Sequence, residues 1–280
     1  MPVVPRFLRG DVPVVPVVRL TGVVGFSTPL RPGLTLAGIA RALDKAFSLR
    51  RAKAVALSIN SPGGSPVQSH LIFQRVRHLA AEKELPVIAF VEDVAASGGY
   101  MIACAGDEIV CDPSSIVGSI GVVGSSFGLD EAIKKLGIER RVYTAGERKV
   151  MLDPFLPENP DDVARLKAIQ SQIHERFIAL VKGRRAGKLT GPENTLFSGE
   201  YWTGATAREY GLVDRLGDLW GTLRERFGED VHTPLITAER TFFGRRVPGV
   251  SRVGEWAAPG LPDEVLSAIE ARAIWARYGL

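Results

Sequence analysis

Cysteine, histidine and long apolar runs are all scarce in this chain. Only Cys104 and Cys111 occur in 280 residues, with neither a CxxC spacing nor clustered histidines beside them, so a zinc site and a structural disulfide are set aside and both read as small buried hydrophobes. The four histidines, His70, His78, His174 and His232, are dispersed among polar neighbours; none is placed by its context as a ligand or as the base of a serine–histidine pair. No GxGxxG or Walker-type loop occurs, and no metal, nucleotide, flavin or other cofactor is expected. No stretch approaches the roughly 20 apolar residues of a membrane-spanning helix. The opening residues are broken by Pro2, Pro5, Arg6, Arg9, Asp11, Pro13 and Pro16 and lack the ordered regions of a secretory signal, so the expectation is a soluble, cytoplasmic protein whose membrane contact is at most peripheral. Lys and Arg number 35 against 31 Asp and Glu. The pairs Arg140-Arg141, Arg184-Arg185 and Arg245-Arg246 read as solvated faces, because no basic stripe interleaved with aromatics accompanies them, and nucleic acid is not an expected partner.

What is present is an alternation of β-rich and helix-periodic segments. Val14–Val24, Ala54–Ile59, Val87–Val91, Glu108–Cys111 and a run near Arg141–Thr144 read as strands. Leu36–Phe47, Pro66 to about Ala81, Met101–Ala105, a short piece near Asp130–Leu136 and a long stretch from about Asp161 to Val181 read as helices. Ile116–Gly124 is punctuated by glycine. Strands alternating with helices at this density imply an α/β domain with helices packed on sheets. Beyond Gly217 the pattern weakens until Asp263–Tyr278, which reads as a last amphipathic helix packing on the domain surface or on a neighbouring subunit.

Two turns follow predicted buried strands and place glycine backbone at their carboxyl ends, where α/β proteins gather ligands and catalytic groups: Asn60-Ser61-Pro62-Gly63-Gly64 and Ala95-Ala96-Ser97-Gly98-Gly99-Tyr100. Adjacent glycines let main chain approach a ligand and turn its N–H groups outward, which is how an oxyanion hole is built. Ser97 stands at the start of a predicted helix, where a nucleophilic oxygen gains from the positive end of the helix dipole; taken alone, it is first an N-cap serine. With no histidine in a suitable context, the remaining base for a serine enzyme is a lysine made neutral by burial.

These two turns, together with Val117-Gly118-Ser119-Ile120-Gly121-Val122 and the run Gly204-Ala205-Thr206-Ala207-Arg208-Glu209-Tyr210-Gly211-Leu212-Val213-Asp214, resemble in content and order the signal peptide peptidase A (SppA) family of serine peptidases. The resemblance runs from about Val14 to Leu223. It implies a ClpP/crotonase-like α/β fold, a spiral of ββα units, in a single domain over residues 14–223, preceded by an N-terminal segment (1–13) and followed by a helical C-terminal extension (224–280). It also implies a Ser–Lys endopeptidase acting on unfolded polypeptides or peptides, signal-peptide remnants included, with a preference for small or hydrophobic side chains. The family's nucleophile falls on Ser97. Its general base falls on Lys149, 52 residues further on and followed by Met151 and Pro154. Its lysine-orienting serine falls on Ser119, and its oxyanion donors fall on the backbone of Gly98 and of the Gly63-Gly64 turn.

In that family the serine and lysine of one site can come from neighbouring units, so a homo-oligomer is expected, a ring whose isolated protomer is inactive. Members that work at the membrane usually carry an N-terminal anchor, which is not seen here, so a peptide-degrading role is the expectation. Two other functions remain open on the residues. A crotonase-type acyl-CoA enzyme would use a similar oxyanion hole with carboxylates such as Glu92 and Asp93 as proton carriers, and a non-catalytic scaffold of the same fold would bind peptides without cleaving them.

Overall fold

Val55–Ser61 and Val87–Ala96 carry apolar side chains at most positions, the composition of strands covered on both faces, and they form the centre of the sheet as β2 and β3. The computed structural model describes residues 12–25, 33–146, 148–237 and 272–279. Around the central pair the chain lays down β1 (Val17–Thr21), α1 (Leu36–Phe47), α2 (Pro66–Lys83), α3 (Gly98–Ala103), β4 (Glu108–Cys111), β5 (Ile116–Gly118), α4 (Asp130–Lys135) and α5 (Pro160–Arg184). There follow α6 (Glu193–Leu196), β6 (Tyr201–Thr203), α7 (Gly204–Glu209), β7 (Arg215–Leu216), α8 (Leu219–Phe227) and β8 (Leu235–Ile236). The strand order is β6-β5-β3-β2-β1-β8, with β4 joining β3 to β7 beside that path. Every pairing is parallel except β5 with β6.

The side-chain period of two divides the core. Val55, Leu57 and Ile59 face one cluster with Leu43, Ile72, Ile102 and Phe177 from α1, α2, α3 and α5, whereas Ala56, Ile88, Phe90 and Val110 face a second cluster closed by Leu223 and Leu219 of α8. Helices therefore cover both faces of the sheet. Local chemistry sets their starts: Ser65 accepts from the Gln68 N–H ahead of Pro66, and Asp218 accepts from the Gly221 N–H at the head of α8.

One irregularity places the site. The first half of β3, Ile88–Val91, pairs with β4, and its second half, Val94–Ala96, pairs with β5. The change occurs at Glu92 and Asp93, opposite a register shift in β2 between Ile59 and Ser61, a bulge of the kind that redirects a strand end. Both carboxylates are tied to β2, Glu92 by the Ser58 hydroxyl at 2.5 Å and Asp93 by the Asn60 amide at 2.6 Å. The strand thus continues past the predicted end at Val91.

Three expectations change. Residues 141–144 form no strand; Val142 and Tyr143 are exposed, and β-forming side chains without a neighbouring strand do not hold an extended ladder. Arg184 and Arg185 are not a solvated pair. Arg185 is 2% exposed, donating twice to the Gly211 carbonyl and once to Asp214 at 2.6 Å, and Arg184 donates to the carbonyls of Cys104 and Gly106. β8, beyond residue 224, pairs with β1 as part of the sheet. The segment 1–11, Arg245-Arg246 and most of the helix expected at Asp263–Tyr278 lie outside the described residues, although 272–276 are helical.

Candidate active site

Strand β3 ends at Ala96 and α3 begins at Gly98, so Ser97 alone makes the turn, with φ 51° and ψ −120°. A non-glycine residue at positive φ costs about 1–2 kcal/mol and persists only where its surroundings fix it. Here the Ser97 N–H donates to the Gly118 carbonyl at 2.8 Å and its carbonyl accepts from the Met101 N–H at 3.0 Å. Although Ser97 occupies the N-cap position, its hydroxyl makes no capping hydrogen bond. It is half-buried, leaving the oxygen available to a reacting group.

The Gly63-Gly64 turn sits directly against this elbow. A Cβ placed on Gly63, whose φ is +96°, would lie 2.7 Å from the Gly98 nitrogen and 2.8 Å from both the Ala96 oxygen and the Ser97 Cβ. Gly98 is equally confined, because a Cβ there would meet the Ser69 hydroxyl of α2 at 2.2 Å. The Gly64 segment bridges Val24, which donates to the Gly63 carbonyl and accepts from Ser65, so the Gly64 N–H itself is turned away from Val24. The Gly98 N–H belongs to the first turn of α3, where helix geometry provides no intrahelical partner. Two main-chain donors on opposing loops are thereby brought next to one serine.

Ser119 arrives from the neighbouring strand. Ala96 and Gly118 are register partners in the parallel pair β3·β5, so Ser97 and Ser119 leave adjacent strand ends side by side, both at positive φ. The Ser119 N–H donates to the Glu200 carbonyl at 2.6 Å, and its hydroxyl accepts from the Tyr278 hydroxyl at 3.3 Å.

The structure brings together Ser97, Ser119, Gly63, Gly64 and Gly98, and no hydrogen bond among the described residues ties Lys149 to them. Lys149 is exposed, and its ammonium makes no hydrogen bond or ion pair among the described residues. It belongs to an arm, residues 121–159, that lies between β5 and α5. Eight of the fourteen exposed large hydrophobic side chains among the described residues fall between residues 123 and 156, so this arm presents an apolar surface that the described residues do not cover.

The other titratable groups are engaged elsewhere. His174 hydrogen-bonds the Ile120 carbonyl at 2.9 Å. Cys104 and Cys111 are buried free thiols, each pushed up to about 12 by burial, which makes them inert at neutral pH. Among the described residues no group of three His, Cys, Asp or Glu side chains could hold a metal ion. The residue the sequence reading missed is Tyr278: its helical pattern is visible, but nothing local signals an approach to Pro62 and Ser119, more than 150 residues earlier in the chain.

A twisted parallel sheet whose central strand forks between two neighbours, with a serine elbow opposed by a glycine turn, defines an α/β protein of the ClpP/crotonase-like class. The model of peptidase family S49 matches residues 80–227, and the chain belongs to that family. A Brucella melitensis protein named Na(+)/H(+) antiporter NhaA is 56% identical over 283 residues, covering 99% of this chain and 38% of its own length. The chloroplastic serine protease SPPA of Arabidopsis thaliana is 33% identical over 184 residues, 63% of this chain and 26% of that protein. This chain thus spans well under half the length of either relative. No described helix is long and apolar enough to cross a membrane, and the transporter name is not carried over. Among solved structures, a mutant membrane-bound stomatin-specific protease in complex with a substrate peptide aligns with a TM-score of 0.51 at 17% identity, covering 92% of this chain and 98% of its own, a likeness of fold.

Proposed function

We propose that this chain is a serine endopeptidase that cleaves unfolded polypeptides or peptides with small or hydrophobic side chains, and that its Ser–Lys dyad is completed between two copies. The observation that carries the reading is the pairing of an incomplete site with an exposed complement: Ser97, Ser119 and the two main-chain donors are assembled on the sheet, while Lys149 stands exposed on an uncovered apolar arm. Docked on a second copy, that arm would bury the lysine and favour its neutral form.

In the first step the Ser97 Oγ adds to the carbonyl carbon of the scissile bond while its proton passes to the neutral Lys149 amine, which Ser119 orients. The N–H groups of Gly64 and Gly98 receive the developing oxyanion. Lys149 then delivers the proton to the leaving nitrogen as the C–N bond breaks. In the second half-reaction it takes a proton from the water that adds to the acyl carbonyl carbon and returns it to the Ser97 Oγ as the acyl C–O bond breaks, restoring both Ser97 and the neutral amine. No cofactor is called for. The crotonase-type alternative asks Glu92 or Asp93 to carry protons, and both are bound to β2 through Ser58 and Asn60.

The test is subunit complementation on a fluorogenic peptide and on unfolded casein. Ser97→Ala and Lys149→Ala should each lose turnover while still assembling, and mixing the two under subunit exchange should restore part of it, because some sites then combine an intact serine with an intact lysine. Activity surviving in either single variant would refute the dyad. Inactive mixtures of well-assembled variants would place both groups in one chain, and a wild type inert to every substrate would favour the peptide-binding scaffold.

A further inference from the structure

The segment 272–279 lies on the site just described. The Tyr278 hydroxyl is within hydrogen-bond reach of two acceptors, the Ser119 Oγ at 3.3 Å and the Pro62 carbonyl at 3.5 Å, one on each of the loops that flank Ser97. Its ring packs edge-on against Tyr201 of β6 with centroids 5.1 Å apart, and the Tyr201 hydroxyl donates to the Arg277 carbonyl at 3.0 Å. The segment is therefore held through both side chain and main chain. Ile274, Trp275 and Tyr278 are half-buried, while Arg272 and Arg277 are exposed. With Ala273, Ile274, Trp275 and Ala276 in succession, the segment has the small and apolar composition proposed for the substrates.

We propose that residues 272–279 are an intrachain occupant of the substrate cleft that holds the site latent, with the Tyr278 hydroxyl taking the place at Ser119 that the Lys149 amine must occupy for catalysis. This rests on the dyad reading above. A phenol oxygen 3.3 Å from the Ser119 Oγ and an amine bonded to the same oxygen compete for one position, and a Tyr278 hydroxyl at the Pro62 carbonyl obstructs the approach of a peptide to the Gly64 donor. Activation then requires the segment to leave, and a substrate binds with an affinity reduced by the fraction of molecules whose cleft is open.

The experiment compares the full chain with Tyr278→Phe, which removes only the hydroxyl, and Tyr278→Ala, which also removes the packing on Tyr201. Binding of a fluorescein-labelled casein peptide is followed by anisotropy in a Ser97→Ala background, where no turnover intervenes, and hydrolysis is followed in the Ser97 form. If about one cleft in ten is open in the parent, Tyr278→Ala tightens peptide binding and raises kcat/KM by about tenfold, with Tyr278→Phe between the two. A synthetic peptide of residues 272–279 should inhibit the Tyr278→Ala form. Unchanged or weaker peptide binding in Tyr278→Ala would overturn the occupancy. Absence of Ser97-dependent hydrolysis in every form would instead overturn the peptidase reading, with the anisotropy series still deciding whether the segment occupies the cleft.

Discussion

At the scale of the residue, this site is defined by where side chains are missing as much as by where they stand. Ser97 can hold its positive φ because Gly63 and Gly98 let three backbone segments converge on it, and the contacts at 2.7 and 2.2 Å that a Cβ would make at these two positions leave no room for alanine. Gly63→Ala is therefore expected to cost about 1–3 kcal/mol of stability and to lower kcat/KM by about a hundredfold or more, because the clash displaces the Gly98 N–H from its aim. Gly22→Ala is the control. Gly22 also has a positive φ, +107°, but nothing lies within 4 Å of its Cβ position, so urea unfolding should register the backbone strain while turnover survives. Equal losses of activity in the two variants would show that close approach at Gly63 is not what the site depends on. The two glycine turns and Ser97 stand out in the sequence because each is a compact local motif, whereas Ser119 is reached only through the family resemblance. Tyr278 does not stand out, because its relation to Ser119 exists only once a distant segment has been brought onto the sheet.

At the scale of the element, local periodicity was read well where tertiary contacts agree with it. α1 runs over Leu36–Phe47 and β4 over Glu108–Cys111 as expected, since the apolar positions of each face a core that exists. The strand expected at Arg141–Thr144 fails for the converse reason: its side chains are suited to a sheet, but none runs beside them. The burial of Arg185 was hidden because its partner is 29 residues away, at Asp214. Asp214 anchors the end of α5 to the sheet, accepting from Arg185 and Lys188 at 2.6 Å each and from the Ile109 N–H at 2.8 Å. Burial pushes its pKa upward, but the hydrogen bonds from Arg185 and Lys188 outweigh that and hold it below the usual carboxylate range. Because the folded-state pKa is depressed, this contribution to stability is complete above the ordinary carboxylate pKa of about 4 and is lost as pH falls through the lower folded value. Urea melts of wild type should therefore weaken on acidification below about pH 4 more steeply than those of Asp214→Asn. At neutral pH, Asp214→Ala, which strands a buried guanidinium, should cost about 3–5 kcal/mol. Parallel pH profiles for wild type and Asp214→Asn would mean that Asp214 is not the group responsible.

At the scale of the whole molecule, the protein divides into a well-packed sheet-and-helix body that bears the serine and an arm that bears the lysine, and the two parts treat apolar surface in opposite ways. Within the body, Leu57, Ile59, Ile72 and Ile102 are 0% exposed; on the arm, Val123 is 69% exposed, Phe127 82%, Leu136 72% and Tyr143 91%. Side chains that gain nothing from the fold of one chain are expected to gain from association, since burial is worth roughly 25 cal/mol per Å² of apolar surface and a stable interface covers at least about 1,000 Å². Replacing Phe127, Leu136 and Tyr143 together by serine should therefore separate the copies, as seen by light scattering, while shifting the unfolding of each separated chain by no more than about 0.5 kcal/mol per site. In the proposed mechanism the same triple variant must also lose turnover, because every Ser97 is then without a Lys149, and added Ser97→Ala protein should restore part of it, since its unaltered arm can still dock on the variant's body and bring Lys149 to an intact Ser97. A monomeric triple variant with full activity would separate assembly from chemistry and send the search for the general base back to the body of the molecule.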